Sequence, residues 1–151
     1  VPNVGVVTTI DCGDAGDIHP RDKRTVGRRL ADWARATAYG EGKRAWRGPR
    51  LARHRLEGDT VVLEFDVERL PLVARGGGAF EGFAVAGADG VFHWAAVEQA
   101  GPGMLRVSSP QVPQPTVVRY GWQDNPQNAN LVDSGGERAL PAHPFECVVG
   151  K

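Results

Sequence analysis

Thr60-Val61-Val62-Leu63-Glu64-Phe65-Asp66 sets Val61, Leu63 and Phe65 on one face of an extended chain. A period of two is the mark of a strand with one face buried. Working outward from it, Phe80–Ala86, Val91–Gln99, Met104–Ser108, Thr116–Trp122 and Phe145–Val149 are further strand-sized runs. Glu57-Gly58-Asp59, Ala88-Asp89-Gly90 and Gly101-Pro102-Gly103 supply turns between them. Short strands at this spacing predict an antiparallel β-sandwich over residues 43–151. Trp46-Arg47-Gly48-Pro49 reads as the connector into it, and Arg75-Gly76-Gly77-Gly78 as a loop tip.

The first forty residues have another character. Val4-Gly5-Val6-Val7-Thr8-Thr9-Ile10 is apolar on both alternating faces, as expected of a strand in a parallel sheet covered by helices. Asp11-Cys12-Gly13-Asp14-Ala15-Gly16-Asp17-Ile18-His19-Pro20 is an acidic, turn-rich loop. From Arg21 the period becomes helical. Val26, Leu30, Trp33 and Thr37 share a stripe, while Arg24, Arg28, Arg29 and Arg35 fill much of the rest. Pro20 suits the helix start, and Gly40 and Gly42 suit its stop. Residues 1–42 are therefore expected to be the terminal strand, loop and helix of an α/β domain. The predicted fold class is α/β plus all-β, with two units in 151 residues. Opening at Val1 on strand-like material, the chain reads as a piece of something longer.

Composition narrows the function. Hydrophobic residues are 41% of the chain, enough for a core. Eighteen Lys plus Arg balance eighteen Asp plus Glu, which argues against a nucleic-acid or anionic-membrane partner. No apolar run is long enough to span a membrane as a helix. Two cysteines, Cys12 and Cys147, make no disulfide framework; they either pair with each other or stay as buried thiols.

In doubly wound α/β folds, ligands meet the loops after the strands, which is where the acidic loop falls. Pro20 keeps the backbone of His19 extended at the helix entrance. A histidine there, with Asp17 and Asp14 nearby, has the makings of a general base oriented by a carboxylate. The plainer reading is that Asp17 caps the helix and His19 is an incidental polar residue.

The stretch Gly13–Lys23, followed by Val26-Gly27-Arg28-Arg29-Leu30, resembles the last sequence block of the sialate O-acetylesterase family of SGNH hydrolases. Further matches follow in order: Tyr39-Gly40, Gly48-Pro49 and Phe80-Glu81-Gly82-Phe83-Ala84-Val85-Ala86-Gly87. Ser108-Ser109-Pro110, Val118-Arg119-Tyr120-Gly121-Trp122, Asp124-Asn125-Pro126 and Leu140-Pro141-Ala142-His143-Pro144-Phe145 complete the set. The resemblance implies that residues 1–42 close a flavodoxin-like SGNH domain. It implies an esterase that removes O-acetyl groups from sialic acids or acetylated polysaccharides by serine–histidine acyl transfer, with no cofactor or metal. His19 would be the catalytic histidine, oriented by Asp17 or, alternatively, Asp14; the family's more usual place for that Asp holds Gly16. The serine would lie in an N-terminal block outside this chain, so that part is the implied partner besides the acetylated sugar. Export, to the periplasm or beyond the cell, is the implied location.

Other residues have competing readings. Ser108, Ser109 and Ser134 suit turns and strand edges better than a nucleophile. His54, His93 and His143 lack metal-ligand spacing. Trp94 and Trp122 suit core packing, with stacking on a sugar ring as the alternative. Arg119, Tyr120, Asp124 and Asn125 either line a polar cleft or satisfy buried backbone groups. Trp122, Asp124 and Asn125 are taken as candidate substrate-binding residues. The rival to the esterase is a non-catalytic carbohydrate-binding or structural β-sandwich.

Overall fold

The computed structural model describes residues 4–42 and 45–150. The start at Val1 and the change of composition at Lys43 lie outside the described residues. The architecture is mostly antiparallel β, with one α-helix, α1 (Lys23–Thr37), and a short 3-10 turn, Gly136–Arg138. The first sheet joins β1 (Arg50–Glu57), β2 (Thr60–Asp66), β7 (Met104–Ser108) and β6 (Ala96–Gly101) in the order β1-β2-β7-β6. The second joins β10 (Phe145–Val148), β8 (Val117–Tyr120), β4 (Phe83–Ala86) and β5 (Phe92–Trp94) in the order β10-β8-β4-β5. A small pair, β3 (Val73–Ala74) and β9 (Leu131–Val132), completes the set.

One core is built from both larger sheets. Val61, Leu63 and Phe65 of β2 meet Leu105 and Val107 of β7, Phe83 and Val85 of β4, and Val118 and Tyr120 of β8. The alternation in Thr60–Asp66 thus has its cause in this shared core. Tyr120 is wholly buried, and its Oη accepts the Leu131 N–H at 2.9 Å, tying β9 to β8. Its ring lies 4.6 Å from that of Phe83 and 5.8 Å from that of Phe145, centroid to centroid. That burial resolves the alternatives for Tyr120: it satisfies a backbone donor inside the core.

Three elements differ from the sequence expectation. Val91–Gln99 is two strands, because the chain leaves the second sheet after Trp94 and enters the first at Ala96. Ala95 N–H bonds to the Phe83 carbonyl at 3.1 Å at that crossing. Residues 4–10 carry no strand, since no described residue offers them a ladder, and Val4 and Val6 are exposed. In α1 the expected apolar stripe is not the buried face. Leu30 is 45% exposed, whereas Arg29 is 3% exposed and is the helix's buried residue. Arg29 goes inside because a charged partner waits there.

Candidate active-site cleft

Asp11 is that partner. Arg29 donates from Nη1 to Asp11 Oδ1 at 2.6 Å and from Nη2 to Oδ2 at 2.7 Å, and Nη1 also reaches the Thr8 carbonyl at 2.7 Å. Arg75, from the glycine loop, donates to Asp11 Oδ2 at 2.5 Å. Burial pushes the Asp11 carboxyl up, but the bonds and charges of Arg29 and Arg75 outweigh it and hold the pKa at about 2. The start of the acidic loop is therefore pinned to both the helix and the β-sheet unit. A second tie joins Thr8 Oγ1 to His143 Nδ1 at 2.9 Å.

Beyond Cys12 the loop comes to the surface, and Gly13 to His19 are all exposed. Asp14 Oδ1 accepts the Gly16 N–H at 2.9 Å, and Asp17 Oδ1 accepts the backbone N–H of His19 at 2.8 Å. These short-range bonds shape the loop, as Asp side chains commonly do in turns. Asp17 thus holds the main chain of His19. The ring of His19 makes no hydrogen bond among the described residues. The helix cap is Asp22, whose side chain accepts the Thr25 N–H at 3.0 Å, so Asp17 is not the cap. That bond with Thr25 also lowers the Asp22 carboxyl below its usual range.

A cleft of about 510 Å³ opens where the loop leaves the β unit, between Thr9, Ile10 and Gly13 on one side and residues 121–126 on the other. Trp122, Asp124 and Asn125 all line it, so the structure gathers the three candidate binding residues in one place. A Cβ on Gly13 would stand 3.0 Å from Asn125 Oδ1, which shows how closely loop and cleft wall approach. The loop enters at Gly13 and carries His19 six residues further on. Trp122 is 52% exposed and Trp94 59%, so neither is a core residue. Arg119, next to Tyr120, faces outward and bonds Glu146 Oε2 at 2.7 Å.

The remaining candidates are soon placed. Ser109 is buried, Ser134 Oγ donates to the Leu70 carbonyl at 2.8 Å, and no serine bonds a histidine among the described residues. Cys12 and Cys147 are both free, buried thiols, each raised above its usual pKa mainly by burial, Cys147 to about 11. His54 Nε2 lies 3.0 Å from the Val148 carbonyl oxygen. Among the described residues no three His, Cys, Asp or Glu side chains gather as metal ligands, and no helix is long and apolar enough to cross a membrane. Sequence reading missed the roles of Arg29 and Arg75; an arginine ahead of three glycines gives no sign of its distant partner.

No protein-family model matches the chain. A solved carbohydrate acetylesterase from Xanthomonas citri superposes with a TM-score of 0.84 at 44% identity, over 91% of this chain and 31% of that one. The sialate O-acetylesterase of Rattus norvegicus is 40% identical over 79 residues, 46% of this chain and 15% of the rat protein. That of Mus musculus is 47% identical over 53 residues, 32% of this chain and 10% of the mouse protein. The chain thus spans a third or less of the length of each relative. Over the region matched in structure, its fold is similar to that of a segment of a carbohydrate acetylesterase. Over the regions matched in sequence, it is similar to the sialate O-acetylesterases.

Proposed function

We propose that this chain is the histidine-bearing segment of an enzyme that removes O-acetyl groups from sugars. The observation that carries the reading is an exposed His19 whose ring has no hydrogen-bond partner among the described residues, on a loop that starts at a cleft, in a chain alike in fold and sequence to a carbohydrate acetylesterase. In this reading residues 1–42 complete an SGNH α/β unit and residues 43–151 form a β-sandwich beside it. The exposed faces of Val4, Val6 and Leu30 suit packing against further α/β structure. The enzyme would act outside the cytoplasm, on exported or extracellular sugars.

The serine is supplied from outside these 151 residues, since none of Ser108, Ser109 and Ser134 has a histidine beside it. His19 accepts the serine proton as the oxygen attacks the acetyl carbonyl, then gives it to the departing sugar hydroxyl. A water deprotonated by His19 releases acetate from the acyl-enzyme. Asp17, already bonded to the backbone of His19, sets the loop. Orientation of the ring falls to Asp17 or Asp14 after a side-chain rotation, and both are exposed and able to turn. Trp122, Asp124 and Asn125 contact the sugar. Acetate release from O-acetylated sialic acid, acetylxylan and an aryl acetate, by the polypeptide that carries both His19 and the serine, tests the substrate class. Turnover of either sugar ester well above the aryl ester supports the reading; turnover of the aryl ester alone overturns it.

A further inference from the structure

The outer face of the second sheet is not what an ordinary solvent-facing sheet shows. Register places Trp94 beside Ala84, Ala84 beside Arg119, and Arg119 beside Glu146, in one row across all four strands. The next row on that face is Phe92, Ala86, Val117 and Val148. The alternate rows, with Phe83, Tyr120, Val85 and Val118, enter the core. A sheet face in water is normally polar, yet this one carries aromatic and aliphatic side chains.

The patch is also concave and organised. A cavity of about 230 Å³ is lined by Gly82, Ala84, Trp94, Arg119, Trp122 and Gln123. The Arg119 guanidinium stands 3.8 Å from the centroid of the Phe92 ring and 5.2 Å from that of Trp122, within cation–π reach of both. Its charge is met by Glu146, so the pair offers donors and acceptors without net charge. Trp122 and Gln123 line this cavity and the larger cleft alike, so the two adjoin at these residues.

We propose that this trough binds the sugar rings adjoining the acetylated residue, and that the ligand is a neutral oligosaccharide chain. The apolar face of a pyranose, formed by its C–H groups, packs on an exposed indole. Trp94 and Trp122 are two such surfaces, while hydroxyls meet Arg119 and Glu146. A charge-neutral pair favours a neutral chain over an acidic one. The ligand class rests on the proposed function; the site itself is separate from His19.

Binding is tested on the polypeptide that carries both His19 and the serine, by calorimetry with xylohexaose, cellohexaose and mannohexaose, against the monosaccharides and N-acetylneuraminic acid. At least one hexasaccharide is expected to bind about tenfold or more tightly than its monosaccharide. Trp94→Ala is expected to weaken that affinity about tenfold and Trp94→Tyr to preserve most of it. Tyr39→Ala, which removes an exposed aromatic elsewhere, is expected to leave it unchanged. Absence of binding to all three chains, or equal affinity for chain and monosaccharide, overturns the proposal. So does a Trp94→Ala protein that is folded by circular dichroism and binds as before. Loss of esterase activity in the same preparations bears only on the catalytic reading, so the two failures are told apart.

Discussion

Arg29 and Asp11 face each other through two parallel hydrogen bonds, 2.6 and 2.7 Å long, between the buried face of α1 and the first residue of the acidic loop. The helix therefore docks by charge where its sequence predicts an apolar stripe. The pair holds the root of the loop that carries His19, and Arg75 extends it into the β unit. Structure near the chain's start and the position of the candidate base thus share one ionic anchor.

Breaking a buried pair leaves an uncompensated charge, whereas trimming its exposed partner does not. Arg29 is almost wholly buried and Arg75 is well exposed. Arg29→Ala is expected to cost about 3 kcal/mol in urea unfolding, and Arg75→Ala no more than about 1 kcal/mol. Equal costs would mean that the exposed contact matters as much as the buried one.

Acid should loosen the same anchor. The folded Asp11 carboxyl titrates at about 2, below its usual 3.8, so the unfolded chain binds the proton first as pH falls. Its stabilisation is complete above about pH 4 and is lost as the pH drops toward 2. Thermal melts of the wild type and Asp11→Asn over this range are expected to converge, the variant's Tm depending less on pH.

His143 shifts stability in the same direction as pH falls, at higher pH. Burial, then the charges of Arg50 and Arg47, lower its pKa, so the ring bonded to Thr8 resists protonation more in the folded protein than in the unfolded chain. Below about pH 6.5 the unfolded chain takes up a proton that the folded one refuses, and stability declines. The fall in Tm between pH 7 and pH 5 is expected to shrink in His143→Asn.

Tyr120→Phe removes the hydroxyl that accepts the Leu131 N–H while keeping the ring against Phe83 and Phe145. An orphaned buried donor costs about 1–3 kcal/mol. Equilibrium unfolding is expected to show a loss in that range, and amide exchange at Leu131 to accelerate.

Where one face of a strand enters the core, the sequence pattern is legible. Thr60–Asp66 and Met104–Ser108 form strands with the bounds read from their alternation. Arg50–Glu57 escapes notice because it is an edge strand, exposed along nearly its whole length, with charges where a pattern would stand. Val91–Gln99 misleads because period two continues through a change of sheet. Val4–Ile10 misleads because apolar residues mark a strand only if a neighbour completes the ladder. Of the candidate site, Trp122, Asp124 and Asn125 are neighbours in sequence and so could be grouped early. The Asp11–Arg29–Arg75 anchor spans 64 positions between Asp11 and Arg75, and no local pattern encodes it.

The most direct test is the kcat for acetate release by the polypeptide that carries both His19 and the serine, compared with its His19→Ala variant. Because the side chain is exposed and its ring makes no hydrogen bond among the described residues, the variant is expected to melt at the wild-type temperature. Its kcat is expected to fall by about three orders of magnitude or more, the scale of losing a triad member. A variant that keeps most of the wild-type kcat would contradict the assignment of His19 as the general base.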